Sequence, residues 1–307
     1  MEFPKTLIKR NGYIERIKPF MRKNIAKVLT GQRRVGKSFL LYQLMEQLLA
    51  EEPDANIIYI NFEDFAFSHI QTAEDMHAYI MSKVRKEKYN YIFVDEIQEI
   101  VNFERVIRSL LLNENIDIYI TGSNAKMLSG ELATYLSGRY IEFSVYSLSY
   151  LEFLEFHKLE NNNESLYLYS RYGGLPYLVN LPLKDETVNE YLKSVYSTIV
   201  FRDVVSRYNL RNSSFLEKLV QFLSENIGNL FSAKNISDYL KSQHSTISVN
   251  QVQNYTEYLN NAFLIHRVRR YDLIGKRLFE IGEKYYFENM GLRNIVIGYR
   301  ITDRAKI

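Results

Sequence analysis

Eight consecutive residues, Gly31-Gln32-Arg33-Arg34-Val35-Gly36-Lys37-Ser38, place two glycines, a lysine and a hydroxyl at the spacing G-x-x-x-x-G-K-[ST]. That spacing suits phosphate capture. Gly31 and Gly36 permit backbone angles that let successive N–H groups turn inward around phosphate oxygens. Lys37 brings a mobile positive charge to the β- and γ-phosphates, and Ser38 offers its hydroxyl to Mg²⁺. A helix starting at Lys37, Ser38 and Phe39 would aim its positive end at the same anion. A second stretch, Tyr91-Ile92-Phe93-Val94-Asp95-Glu96, ends an apolar run in two carboxylates. Asp95 is expected to hold Mg²⁺, and Glu96 to orient and polarise the attacking water, because phosphoryl transfer needs positioning and charge neutralisation. By itself such a pair is an ordinary solvated strand end; after an intact phosphate loop it reads as a hydrolysis site.

Two further stretches carry candidates with open alternatives. In Thr121-Gly122-Ser123-Asn124, Ser123 or Asn124 could reach between the γ-phosphate and the catalytic water, or could cap a following helix. In Ser137-Gly138-Arg139, the arginine could stabilise developing charge on a neighbouring subunit's phosphate, or be a surface residue after a glycine cap. The nucleotide is expected to be ATP, since the text after the fourth strand, Asn124-Ala125-Lys126-Met127, is not an Asn/Thr-Lys-x-Asp guanine signature. His69, His77, His157, His244 and His266 show no metal-ligand spacing, and no G-x-S-x-G turn supports a hydrolase triad.

The elements needed to position these residues are legible in the surrounding pattern. Short apolar runs at 25–30, 56–61, 91–94, 117–121 and 141–145 read as strands. Helical spacing follows the phosphate loop over 37–49, with Phe39, Leu40, Leu44, Leu48 and Leu49 broadly on one side, and recurs at 72–84, 103–112 and 125–136. Such alternation predicts an α/β fold with a parallel sheet covered on both faces. A chain of 307 residues is about twice a typical domain, so more than one is expected. The polar stretch Glu160 to Glu164 is the linker candidate, with helices over 166–210 beyond it. Farther on, three helix faces (Leu216, Leu219, Val220, Leu223; Ile236, Tyr239, Leu240; Val249, Val252, Tyr255, Leu259) precede an alternating run from Phe263 to Arg270. The net charge of +3 leaves any nucleic-acid surface to a local patch, and the absence of cysteine excludes a disulfide framework and a thiolate nucleophile. No signal-like apolar stretch opens the chain and no run reaches membrane-helix length, so a cytoplasmic protein is expected.

With these residues in place, the chain resembles the AAA+ ATPases, and more closely a bacterial and archaeal family whose phosphate loop reads G-x-R-R-x-G-K-[ST]. The resemblance extends through Asn61-Phe62-Glu63-Asp64, Asp95-Glu96-Ile97-Gln98, Thr121-Gly122-Ser123-Asn124, Leu136-Ser137-Gly138-Arg139-Tyr140, Tyr172-Gly173-Gly174-Leu175-Pro176 and Tyr285-Tyr286-Phe287. It implies a P-loop NTPase core over 21–160 after a lead-in at 1–20, a helical lid over 161–213 and a winged helix over 214–287. A segment at 288–307 would begin a truncated C-terminal, nuclease-like domain. The resemblance also makes Pro176 a base-contact candidate and leaves room for a homo-oligomer. Within the winged helix, Asn250, Gln251, Gln253 and Asn254 could bond base edges, and Arg267, Arg269, Arg270, Lys276 and Arg277 could meet DNA or RNA phosphates. A winged helix can equally be a packing module with those charges as a solvated rim. Asn289 stands where the family pattern has Asp shortly before Gly291-Leu292-Arg293-Asn294. Function is expected to be ATP hydrolysis coupled to remodelling of nucleic acid or protein, or a slow ATP-dependent conformational switch.

Overall fold

The structure is a computed structural model that describes residues 4, 7–125, 133–136, 138–242, 247–269 and 282–298. The chain divides into two compact units, 1–146 and 147–307. The first opens with helix α1 (Asn11–Ile17) and continues through β1 (Ala26–Thr30), α2 (Lys37–Glu51), β2 (Asn56–Asn61) and α3 (Ala73–Lys83). It closes with β3 (Asn90–Asp95), α4 (Phe103–Leu110), β4 (Ile116–Gly122), the short α5 (Ala133–Leu136) and β5 (Tyr140–Ser144). The five strands pair in parallel in the order β2-β3-β4-β1-β5.

Burial follows from that order. The three inner strands β1, β3 and β4 are buried along their whole length, as a parallel sheet covered on both faces requires, while edge strand β2 alternates buried and half-buried residues. Ile92, Val94, Ile118 and Ile120 share one core with Met76 and Ile80 of α3 and Val106, Ile107 and Leu110 of α4. Pairing of Thr30 with Gly122 and of Asn61 with Asp95 brings the carboxyl ends of β1, β2, β3 and β4 to one edge. Ligands of open α/β sheets bind along such an edge.

One helix face differs from the expected one. In α2 the buried residues are Lys37, Leu40, Leu41, Gln43, Leu44, Met45 and Leu48. Positions 37, 40, 41, 44, 45 and 48 form a regular three-and-four stripe, and Phe39 falls beside it, 47% exposed, with Leu49 half-buried. The helix expected over 125–136 is described only from Ala133, because 126–132 lie outside the described residues.

The second unit contains α6 (Tyr150–His157), α7 (Asn163–Tyr172) and α8 (Asp185–Thr198), which runs on into a π-helical segment (Ile199–Ser206). Then come α9 (Ser213–Glu225), α10 (Ala233–Ser242), α11 (Val249–Asn261), the antiparallel strands β6 (Ile265–Val268) and β7 (Lys284–Phe287), and α12 (Met290–Ile297). The polar stretch 160–164 lies within this unit, where the Asn162 side chain caps α7 by accepting from the Ser165 amide. Tyr239, expected on the apolar face of α10, is 57% exposed; the buried stripe is Ala233, Ile236, Ser237 and Leu240, a regular spacing that leaves position 239 outside it.

The segment 289–294 is engaged in packing. Asn289 is buried and caps α12 through the Leu292 amide, 3.1 Å away, while its own amide donates to Ser147 Oγ at 3.1 Å. Asn294 donates to the Ser170 and Arg171 carbonyls at the end of α7, at 2.9 and 2.8 Å, and Arg293 Nε donates to the Ser224 carbonyl in α9 at 3.0 Å. Gly291 lies so close to α7 that an added Cβ would stand 2.0 Å from the Tyr172 carbonyl oxygen.

Candidate functional site

The loop between β1 and α2 turns through positive φ at three places, Gly31 (148°), Arg34 (71°) and Gly36 (95°). Arg34 takes its left-handed angle without being glycine, at the exposed tip, whereas Gln32, Arg33 and Val35 are buried. Gly31 is demanded by packing as well as by turning: a Cβ there would lie 2.0 Å from the Val145 carbonyl oxygen. The lead-in contributes Arg10, which is buried and donates from Nη1 to the carbonyls of Val35, at 3.1 Å, and Tyr146, at 3.0 Å.

Lys37 folds back over this loop. Its Nζ donates to the carbonyls of Gly31 and Gln32, both at 3.0 Å, and stands 3.9 Å from Glu96 Oε1. The charge therefore sits inside the cradle, on carbonyl oxygens that phosphate oxygens can replace. Arg33 pairs with Glu63 just after β2, at 2.7 Å.

Asp95 and Glu96 lie at the end of β3, beside the end of β4. Thr121 of β4 joins them: its hydroxyl donates to Asp95 Oδ1 and accepts from the Glu96 amide at 3.0 Å. The Ser38 hydroxyl is also hydrogen-bonded to the Asp95 carboxylate, and Tyr59 lies 3.5 Å from its Oδ2. Glu96 adopts φ 54° and ψ 49°, a left-handed conformation unfavourable for a residue with a side chain. Gln98 Nε2 donates to Glu96 Oε2 and to Ser123 Oγ, the latter at 3.3 Å.

The two neighbouring carboxyls are driven apart. Burial raises the Asp95 pKa from its ordinary value, against the hydrogen bonds from Ser38 and Thr121. Burial pushes Glu96 upward too, but Lys37, Gln98, Arg33 and Ser123 together outweigh it and hold Glu96 below its ordinary value. The shifts run in opposite directions: the surrounding donors and cations favour the Glu96 carboxylate, and a cation beside Asp95 would favour its ionisation. The donor set fits a hard divalent ion, since the Asp95 carboxylate and the Ser38 hydroxyl are already in contact. Among the described residues no group of three or more His, Cys, Asp and Glu gathers to hold a metal, so such an ion would need oxygens from a nucleotide and from water.

Other residues singled out in the sequence are distributed as follows. Ser123 and Asn124 are both buried at the end of β4, with Ser123 in the Gln98 contact. Arg139 is exposed, and its carbonyl accepts from the Ala26 amide at 2.9 Å, which places it at the amino end of β1. From there Gly31 is five strand residues away, roughly 16 Å, well beyond the reach of an arginine side chain. Pro176 belongs to the second unit, where it opens the 3₁₀ turn Pro176–Asn180. Arg267 pairs with Glu257 at 2.9 Å and lies 3.8 Å from Glu283, and the exposed Arg269 lies 3.9 Å from Glu283. Arg270, Lys276 and Arg277 lie outside the described residues.

Thr121, Gln98 and Arg10 are the site residues that the motif reading did not single out. Polar side chains within Asp95-Glu96-Ile97-Gln98 and Thr121-Gly122-Ser123-Asn124 were the available signal; Arg10 offered none.

A family model described as an AAA domain matches residues 23–154, and one described as a domain of unknown function matches residues 163–302. An uncharacterized protein of Haemophilus influenzae is 36% identical over 98% of this chain and 76% of its own length. The chain belongs to that protein's family and carries an AAA domain. The AAA domain is a nucleotide-binding fold, so the loop at 31–38 lies in a domain of the right kind. An uncharacterized protein of Methanocaldococcus jannaschii is 31% identical over 79% of the chain, which spans 56% of that relative's length. Among solved structures, the Walker-type ATPase PABY2304 of Pyrococcus abyssi is similar in fold, with a TM-score of 0.61 at 16% identity, over 95% of this chain and 96% of its own. Among the described residues no helix is long and apolar enough to cross a membrane.

Proposed function

We propose that the protein is a magnesium-dependent ATPase whose first unit binds ATP along the edge formed by 31–39 and hydrolyses it with Glu96. The observation that carries this reading is the convergence of Lys37, Ser38, Asp95 and Glu96 on one sheet edge, with Ser38 already bonded to Asp95 and Lys37 held near Glu96. Lys37 would exchange its two loop carbonyls for β- and γ-phosphate oxygens, and Glu96 would accept a proton from the attacking water. Mg²⁺ held by Ser38 and Asp95 would neutralise phosphate charge. Ser123, or Asn124 beside it, would sense the γ-phosphate.

In the second unit, α9, α10, α11 and the strand pair β6/β7 are read as a winged helix. Asn250, Gln251, Gln253 and Asn254 on α11 are exposed, although Gln251 also closes a capping box with Ser248. Coupling ATP turnover to remodelling of nucleic acid or of a protein is the function these parts support together. A slow switch is the second reading; Arg139 stands too far from the phosphate loop of its own chain to act there, so faster turnover through it would need a neighbouring subunit.

The test is Glu96→Gln, which keeps shape and hydrogen bonding but removes the carboxylate. Mg-ATP affinity by calorimetry should be retained while turnover falls about a thousandfold, roughly 4 kcal/mol of barrier. Loss of binding, or unchanged turnover, would overturn the assignment. DNA and RNA binding of the ATP-loaded variant, compared across salt concentrations and with Arg269→Glu, then separates a nucleic-acid partner from a protein one.

A further inference from the structure

We infer that Gln98 is a positioning residue for Glu96, fixing one carboxylate oxygen so that the other faces the attacking water. The inference rests on the reading of Glu96 as the water-polarising group.

Three observations carry it. The left-handed Glu96 backbone is followed at once by the short 3₁₀ turn Ile97–Glu99, which folds Gln98 back beside the carboxylate two residues earlier. A carboxylate only accepts, so the Gln98 amide must face it with nitrogen, and Nε2 is indeed bonded to Glu96 Oε2 and Ser123 Oγ. That orientation leaves the buried Gln98 Oε1 without a hydrogen-bond partner among the described residues. A strained backbone followed by an amide with a buried, unmatched oxygen is unfavourable for folding alone and typical of a site arranged for chemistry.

The contacts of Glu96 also divide by permanence. Lys37 approaches Oε1 from 3.9 Å but is expected to move onto phosphate when nucleotide enters. Gln98 has no such competing demand. Once Lys37 is engaged, the Gln98 amide still holds Oε2, beside the Ser123 hydroxyl that also bonds the carboxylate, and leaves Oε1 for water.

The experiment compares the full chain with Gln98→Met, which keeps length without a donor, and Gln98→Glu, which puts an acceptor in its place. Mg-ATP affinity by calorimetry should stay within about twofold while kcat falls about 10- to 100-fold in both variants, since a small misplacement of a catalytic group has effects of this size. On a Glu96→Gln background, Gln98→Met should cause no further loss in single-turnover hydrolysis, because the group it positions is gone. Unchanged kcat, a parallel loss of ATP affinity, or an additive loss on the Glu96→Gln background would each overturn the inference. If the unaltered protein binds Mg-ATP without hydrolysing it, or does not bind it, the underlying reading fails as well, and that result is visible before any Gln98 variant is made.

Discussion

At the amino end of the five-stranded sheet, Lys27 and Asp117 form an ion pair with both side chains sealed from solvent. Lys27 Nζ also donates to the Ile25 carbonyl at 2.9 Å and lies 4.6 Å from the centre of the Tyr119 ring. The other Asp117 oxygen accepts from the Arg22 amide at 2.8 Å and the Tyr119 hydroxyl at 2.7 Å. At the carboxyl end, Lys37 is nearly as buried, stands 3.9 Å from a Glu96 oxygen and donates to two carbonyls of its own loop. The first lysine has direct and permanent partners; the second has replaceable ones. Burial of charge alone therefore does not distinguish framework from chemistry, whereas the kind of partner, a carboxylate in the framework or loop carbonyls in the cradle, does.

Breaking the amino-end pair should have the largest effect. Asp117→Ala removes the partner of a buried lysine whose pKa burial already lowers, and urea unfolding should show a loss of about 3–5 kcal/mol. Replacing both partners, as Lys27→Met with Asp117→Leu, should be milder than the single change, since a buried pair exchanged for apolar groups is often neutral. At the other end, Lys37→Ala should weaken Mg-ATP binding at least 100-fold, about 2.7 kcal/mol, while unfolding free energy changes by less than about 1 kcal/mol. If Lys37→Ala unfolds as readily as Asp117→Ala, the contrast between the two ends is lost.

The smallest effect is expected from a half-buried group whose buried ring nitrogen has no hydrogen-bond partner among the described residues. His157 in α6 packs against Phe153 with Nε2 in that condition, and burial holds its pKa below the usual 6.5. The unfolded chain therefore binds the proton more readily, so stability is full above about pH 6.5 and declines as pH falls below it. His157→Phe should flatten that part of the stability profile, read by thermal unfolding from pH 7 to pH 5. An unchanged slope would assign the decline to other groups.

Much of the first unit was legible because strand runs and helix spacing are local properties: expected strands at 25–30, 56–61 and 117–121 meet β1, β2 and β4 within a residue. The side chains around the carboxylates were less so. Thr121 meets Asp95 only because β3 and β4 are neighbours in the sheet, and no periodicity states which strands will be adjacent. Lys27 and Asp117 are separated by 90 positions and read in sequence as ordinary polar residues within strands. Gln98 was visible as a letter in its motif, but its contact with Glu96 depends on a backbone conformation that glutamate rarely adopts. Phe39 and Tyr239 were placed on apolar faces by their hydrophobicity; stripe geometry left both at the margin.

The tight approach of Gly31 to the Val145 carbonyl changes the diagnostic value of the motif's individual letters. A glycine at this position is required by the neighbouring backbone whether or not a nucleotide ever enters, whereas Lys37 meets loop carbonyls and Glu96, the groups assigned to the chemistry. A copy of this gene that had lost its chemistry but kept its fold would retain the first glycine and be free to change the lysine. In sorting active from degenerate copies, Lys37 is therefore the informative witness, and Gly31 testifies only that the domain still folds.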